Sequence, residues 1–141
     1  MSKQREAAFI TEAKSRFAAG KPERALEMLY RFSDIVEMAE KFPTAEYWQL
    51  RAAGEFLSGN GTEGESALKE SGGVSLKFLE LYRNAFSAFA ARPLPRMKRG
   101  RIAHEGLIRY NIGQIIRYAQ EVGGDGFGLG QDLAEIVPRK R

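Results

Sequence analysis

The stretch from Pro22 to Pro43 reads PERALEMLYRFSDIVEMAEKFP, and it decides the expected fold. Its apolar residues recur at spacings of one, three and four, which is typical of an amphipathic helix that buries one side. These residues are Ala25, Met28, Leu29, Phe32, Ile35, Val36, Ala39 and Phe42. Pro22 suits the first position of a helix, and Pro43 ends it because proline disfavours helical backbone in the residue before it. We therefore predict one long helix with Phe32 buried in the middle of its apolar side.

The same periodicity continues upstream of this stretch. Phe9, Ala13 and Phe17 are spaced by four, so they lie on one side of a predicted first helix. Gly20 stands where a C-terminal cap belongs, since glycine adopts the left-handed backbone that ends many helices. The sequence therefore predicts two consecutive helices joined by a short glycine turn.

Three further helices are predicted downstream of Pro43. Thr44 caps the first of them, which extends through residue 57. Thr62 and Glu65 have the spacing of a capping box and open a short helix that ends near residue 72. Ser75 caps the last, whose broad apolar side carries Phe78, Leu79, Tyr82, Ala85, Phe86 and Phe89.

A long helix is predicted from about Arg101 to Val122, followed by a glycine-rich joint. On a helical wheel its apolar residues fall within about 80° of one another, and they are Ile108, Ile112, Ile115, Ala119 and Val122. Residues 123–130 hold five glycines, and a last short helical segment follows at 132–137. No window alternates with the period of two that a strand requires. The expected fold class is therefore all-α, a compact bundle or short helical-hairpin solenoid of six or seven helices.

The composition limits the class of protein. A chain of 141 residues with 43% hydrophobic and 28% charged residues is expected to form a single globular domain. Cysteine is absent, which excludes disulfides, a thiol nucleophile and thiolate metal ligands. No apolar run approaches the ~20 residues that span a bilayer, and the first residues lack the continuous apolar stretch of a secretory signal. We expect a cytoplasmic protein without a membrane partner.

Positive charge is concentrated in the last third of the chain. Residues 1–91 hold 12 Lys and Arg against 13 Asp and Glu, whereas residues 92–141 hold 10 against 5. We accordingly divide the single domain, 1–141, into a near-neutral helical scaffold at 1–91, a basic segment with the long helix at 92–122, and a glycine-rich joint with a short helix and basic tail at 123–141. A pI of about 9.5 favours acidic partners, such as nucleic acid or an acidic protein surface.

The basic segment predicts a nucleic-acid-binding surface. Arg109, Gly113 and Arg117 are spaced by four along the long helix, so two guanidinium groups flank a glycine that leaves the backbone bare. Arginine pairs bidentately with phosphate oxygens, and Tyr110 offers a ring for base stacking. Two alternatives stay open: the basic face is merely solvated, or Gly106 and Gly113 let another helix pack closely. The remaining predicted contacts, which would supply non-specific attraction, are Arg96, Lys98, Arg99 and Arg101.

Residues 13–26, AKSRFAAGKPERAL, resemble the turn between the two helices of a tetratricopeptide-type repeat. In that family apolar residues precede a glycine turn and an alanine begins the packing of the second helix, as Phe17, Gly20 and Ala25 do here. The resemblance covers residues 7–70, and it implies stacked antiparallel helix pairs with a concave peptide-binding face. A generic helical hairpin closed by a glycine turn explains the same residues.

This resemblance leads to an alternative function, a protein-binding adaptor. An apolar groove around Tyr47, Trp48 and Phe56 would then bind the partner, and the basic segment would only be solvated. Ordinary core packing also accounts for these aromatic residues without a ligand. A complex that tolerates salt would favour the adaptor, whereas strong salt dependence would favour nucleic-acid binding.

No pattern in the chain predicts a catalytic residue, a metal site or a cofactor. Residues 126–130 contain G-x-G-x-G, but they follow a helix rather than a strand and lack Gly-Lys-Ser/Thr, so they are not a nucleotide loop. His104 is the single histidine, and the position of a second zinc ligand on its helix is taken by Ile108. We expect His104 at the surface or at a helix end. The sequence thus predicts a non-enzymatic binding module.

Overall fold

The computed structural model describes residues 3–39 and 44–124. In these ranges the chain forms six α-helices and no strand, which confirms the predicted all-α class. The predicted helical segment at 132–137 and the glycine cluster beyond residue 124 lie outside the described residues. The helices are α1 (Lys3–Ala18), α2 (Pro22–Ala39), α3 (Ala45–Leu57), α4 (Gly61–Glu70), α5 (Leu76–Ala90) and α6 (Lys98–Val122).

Helix α3 lies at the centre of the fold. It packs against α1, α2, α4, α5 and α6, and its buried residues are Tyr47, Gln49, Leu50, Ala52, Ala53, Gly54, Glu55, Phe56 and Leu57. A helix buried around most of its circumference must be enclosed by other elements. The neighbouring pairs α1 with α2 and α3 with α4 pack on each other, and α5 and α6 pack together against α3.

The buried side of α2 is centred on Phe32, as its periodicity predicts. Phe32 is 2% exposed, and its ring centroid lies 5.2 Å from that of Phe9 and 5.4 Å from that of Tyr47. Tyr47 Oη donates to the carbonyl of Leu29 at 2.7 Å, so the tyrosine brings α3 against α2 while its hydroxyl stays paired. The side chains of α2 beyond residue 34 lie outside this description.

Aromatic rings join α3, α5 and α6. The ring of Phe56 stacks 5.5 Å from that of Tyr82 and lies 5.7 Å from that of Tyr118, and all three are buried. Tyr82 Oη donates to Asn111 Oδ1, and Asn111 Nδ2 donates to the carbonyl one turn earlier at 2.8 Å. Because a buried polar group without a partner is costly, this hydrogen bond favours one register of α5 against α6.

Two glycines allow helices to approach closely. Gly20 has a φ of +75°, as expected for a helix C-terminal glycine, and a Cβ there would lie 2.7 Å from the carbonyl oxygen of Ala88. A Cβ on Gly54 would lie 2.8 Å from the side chain of Leu26. A larger residue at Gly20 would push α5 away from the turn between α1 and α2, and one at Gly54 would push α2 away from α3.

Two helices begin one to three residues earlier than the residues named in the prediction. Helix α4 begins at Gly61 with Asn60 as its N-cap, so Thr62 and Glu65 do not form the predicted capping box. Helix α6 begins at Lys98 rather than near Arg101. A Cβ on Gly100 would lie 2.9 Å from Cβ of Pro95, so this glycine lets the preceding loop fold against the first turn of the helix.

A candidate polyanion-binding face on α6

Helix α6 is amphipathic, with one side buried against the core and the other side in solvent. Its inner side packs on α5 and α3 through residues that are 5% exposed or less, namely Ile108, Asn111, Ile115, Tyr118 and Ala119. Ile112 and Val122 are partly buried against the same core. The predicted apolar stripe of this helix is therefore confirmed, and the opposite side of α6 faces outward.

Three cations on the outward side make no ion pair with any described residue. Lys98 and Arg99 lie in the first turn of α6 and Arg109 lies near its middle, and all three are exposed. We refer to the surface that carries these residues as the cationic face. Arg96 and Arg101 lie at its N-terminal end, where Arg101 Nη1 donates to the carbonyl of Arg96 at 2.8 Å.

The remaining two predicted contacts, Tyr110 and Arg117, lie beside α4. Arg117 Nη1 is 3.1 Å from Oε1 of Glu65, and both side chains are about half exposed. The Tyr110 hydroxyl lies against Gly61, where a Cβ would be only 2.6 Å away. Burial, followed by the charge of Glu65, raises the pKa of Tyr110. The predicted site residues therefore divide into an unpaired group on the cationic face and a group that already contacts α4.

Gly106 and Gly113 lie on the outward side of α6 with open space above them. No atom of the described chain lies within 4 Å of the position that a Cβ would occupy on either glycine. The alternative that these glycines accommodate another helix is therefore not realised within residues 3–39 and 44–124. The backbone of α6 is bare at both positions.

Large apolar side chains are exposed around the same cations, which the sequence analysis did not anticipate. Met97 is 75% exposed, Ile102 57%, Leu94 48% and Ile116 41%. The signal was present in the sequence, because Ile102 and Ile116 are seven residues either side of Arg109 and fall off the inner stripe of α6. The cationic face is thus mixed, with apolar side chains between positive charges.

The aromatic residues of the alternative adaptor site lie mostly in the core. Tyr47 and Phe56 are 0% exposed, and only Trp48 of the three reaches solvent in part. The guanidinium carbon of Arg51 lies 5.3 Å from the Trp48 ring and 4.5 Å from that of Tyr30, so these rings already have a cation over them. Tyr47 and Phe56 therefore have no surface available to a partner in this conformation.

His104 is buried, so the expectation of a surface or helix-end position was wrong. It is 9% exposed, and its ring centroid lies 4.9 Å from that of Phe89. Burial, followed by the positive charge of Arg92, lowers the pKa of His104. The helix start at Lys98 places His104 within the second turn of α6, where it faces α5 rather than solvent.

A buried carboxylate was also missed by the sequence analysis. Glu55 of α3 is 1% exposed, and it accepts hydrogen bonds from Tyr30 Oη and, at 2.9 Å, from Asn60 Nδ2. Burial and the neighbouring Glu55 raise the pKa of Tyr30 to about 12. Because both carboxylate oxygens have partners, we interpret this cluster as a structural connection between α2, α3 and the turn before α4.

A groove of about 710 Å³ opens on another side of the molecule, between α1, α3 and α5. Phe17, Leu50 and Leu81 lie along it, and its edge carries the ion pair between Lys14 Nζ and Glu46 Oε2 at 2.7 Å. Charges of both signs border this groove, which sets it apart from the cationic face. Its shape alone indicates no particular ligand.

The described residues show neither a metal-ligand cluster nor a membrane-spanning helix. None of them forms a group of three or more His, Asp or Glu side chains that could hold a metal ion. None of the helices from α1 to α6 is long and apolar enough to cross a membrane. No protein-family model, curated protein or solved structure matches the chain. The cationic face is therefore the feature on which a functional proposal can be built.

Proposed function

We propose that the chain is a non-enzymatic binding module whose cationic face contacts a negatively charged macromolecule, either nucleic acid or the acidic surface of a nucleoprotein partner. The observation that carries the proposal is the arrangement of Lys98, Arg99 and Arg109, which are exposed on one side of α6 without an ion partner in the described chain. Unpaired cations grouped on one face attract anions and release counterions when they bind.

The other basic residues assist this face to different degrees. Arg96 and Arg101 extend it at the N-terminal end of α6, where they would add non-specific attraction. Arg117 is less available, because Glu65 already balances its charge at 3.1 Å. Arg92 is also balanced, since its Nη1 lies 3.6 Å from Oε2 of Glu23.

Charge reversal tests the proposal. The variant Lys98→Glu, Arg99→Glu, Arg109→Glu should weaken binding of single-stranded RNA and duplex DNA by at least about tenfold at ~50 mM salt, measured by fluorescence anisotropy. Acidic residues are tolerated in the first turn of a helix, so the variant should keep the fold. Arg117 is left unchanged because a glutamate there would face Glu65.

A matched control separates the cationic face from net charge. Lys21→Glu, Arg24→Glu, Lys69→Glu changes the charge by the same amount at exposed positions that make no side-chain ion pair with a described residue. This variant should bind both nucleic acids more tightly than the α6 variant does. Equal weakening by the two variants would mean that only the net charge of the protein matters and would contradict the proposal.

A further inference from the structure

The outward side of α6 has the residue spacing of a helix–helix contact. Positions 102, 106, 109, 113, 116 and 120 alternate steps of four and three and lie within about 80° of one another on a helical wheel. We refer to them as the α6 seam, which consists of Ile102, Gly106, Arg109, Gly113, Ile116 and Gln120. A heptad repeat of this kind faces a second helix in coiled coils. No described part of the chain covers Gly106 or Gly113.

The glycines of the α6 seam favour a helix over a phosphate chain as the occupant. Inside an α-helix the amide of Gly113 already donates to the carbonyl four residues earlier, so bare backbone there offers phosphate oxygens no free donor. What Gly106 and Gly113 do offer is a shallow surface, on which a second backbone can approach closely and make Cα–H···O contacts. Glycine otherwise destabilises a helix interior, and neither residue relieves a close contact within the described fold.

The α6 seam carries an exposed apolar residue near each of its ends. Ile102 is 57% exposed and Ile116 is 41% exposed, and they lie about 21 Å apart along the helix. A phosphate backbone would leave both side chains in water. An amphipathic helix of about four turns would cover both with its own apolar residues, in the manner of helix-in-groove recognition.

The charges on and beside the α6 seam indicate an acidic partner rather than a second copy of this chain. Arg109 lies midway between Ile102 and Ile116, so a parallel pairing of two seams, or an antiparallel one that brings Ile102 against Ile116, would place Arg109 against its own copy. In a parallel pairing Lys98 and Arg99 would add further repulsion, because they make no ion pair in the described chain. A partner with carboxylates opposite these cations satisfies charge complementarity.

We propose that the α6 seam docks an acidic amphipathic helix of a partner protein, with apolar residues against Ile102 and Ile116 and a carboxylate against Arg109. The inference rests on the proposed function, and it identifies the partner of the same face as a protein helix rather than nucleic acid. Close approach occurs over Gly106 and Gly113, and Lys98 and Arg99 pair with acids near one end of the docked helix.

Two synthetic peptides of identical composition test this inference. One has leucine along one side of about two heptads, which form about four helical turns, and glutamate on the flanks, and the other has the same residues in scrambled order. The wild type should bind the patterned peptide at least about tenfold more tightly than the scrambled one, measured by fluorescence anisotropy. Chemical shifts of the Gly106 and Gly113 amides should change on binding.

Variants of the α6 seam that change no charged residue test whether its glycines and isoleucines are needed for peptide binding. Gly106→Gln with Gly113→Gln adds bulk at open positions and raises helix propensity, so the fold is retained. Ile102→Ser with Ile116→Ser removes the two exposed apolar side chains of the seam. Each double variant should lower the affinity for the patterned peptide by at least about tenfold and leave the affinity for RNA within about twofold of the wild-type value. Ala103→Gln, an exposed position of α6 outside the seam, should leave both unchanged.

The outcomes distinguish this inference from the proposed function. Equal binding of the two peptides, or undiminished binding by both seam variants, overturns the helix-docking inference. RNA binding without peptide binding overturns it as well and leaves nucleic acid as the partner. Concentration-dependent self-association that the seam variants abolish would identify a second copy as the occupant instead. If Lys98→Glu, Arg99→Glu, Arg109→Glu binds every probe as the wild type does, the proposed function itself fails.

Discussion

At the scale of single residues, burial lowers the pKa of His104. The ring lies against Phe89 and near Arg92, and both the loss of solvent and the positive charge disfavour the imidazolium form. The pKa of His104 therefore lies below its ordinary value of about 6.5. A histidine of this kind binds protons more readily in the unfolded chain, so its contribution to stability is present above the unfolded pKa and is lost as the pH falls.

Replacing His104 should reveal this dependence of stability on pH. In His104→Phe the titratable group is gone, whereas the wild type should lose stability relative to the variant as the pH falls from about 7.5 to 5.5. Thermal melting of both proteins across this range measures the difference. A difference in melting temperature that stays constant with pH would mean that His104 is not held in its neutral form by burial.

Phe32 tests the main core at the same scale. Phe32→Ala should cost about 3–5 kcal/mol of unfolding free energy, because it empties a site between the rings of Phe9 and Tyr47. Denaturant unfolding measures the loss. Ile116→Ala is the control, since an exposed side chain should change stability by roughly 0.5 kcal/mol or less. A loss below about 1 kcal/mol for Phe32→Ala would contradict its central position.

At the scale of elements, the two outward-facing glycines of α6 lower its expected helix propensity. Gly106→Ala and Gly113→Ala should each stabilise the protein by roughly 0.5–1 kcal/mol, since alanine is the better helix former and the space above both residues is open. Denaturant unfolding of the two single variants measures this gain.

The control for these variants is Gly54→Ala on α3. Its Cβ would lie 2.8 Å from the side chain of Leu26, so this substitution should destabilise the protein. The change in unfolding free energy should therefore have opposite signs on α6 and α3, because the glycines on these helices have different surroundings. A loss of stability in Gly106→Ala or Gly113→Ala would show that another part of the molecule covers the outward side of α6.

Periodicity predicted the elements better than capping residues predicted their starts, because Thr44 makes no side-chain cap hydrogen bond and Thr62 is not the cap of α4. Ser75 caps α5 as predicted, because its Oγ accepts from the amide of Phe78 at 3.1 Å. Asn60 was missed as the cap of α4 because its side chain is used elsewhere, as a donor to the buried Glu55. Glu55 is only five residues from Asn60, but its burial depends on how Tyr30 of α2 packs on α3, which local sequence does not reveal.

At the scale of the whole molecule, the sequence predicts where the basic residues lie along the chain. It does not predict which of them already pair with an acidic residue. The excess of Lys and Arg after residue 91 is visible in the sequence. That Arg117 pairs with Glu65 of α4, 52 residues away in the chain, depends on the tertiary fold. The burial of Tyr47 and Phe56 likewise follows from the central position of α3, which the helical spacing of its residues does not specify.

The central claim is that Lys98, Arg99 and Arg109 form a binding face for an acidic partner. Its most direct test is the salt dependence of binding to single-stranded RNA, which serves as a generic polyanion. Each phosphate contact should contribute about −0.7 to the slope of log affinity against log salt concentration, so replacing all three cations with glutamate should flatten the slope by about 2. An unchanged slope in the variant, or absence of wild-type binding to both RNA and the patterned acidic peptide at ~50 mM salt, would contradict the claim.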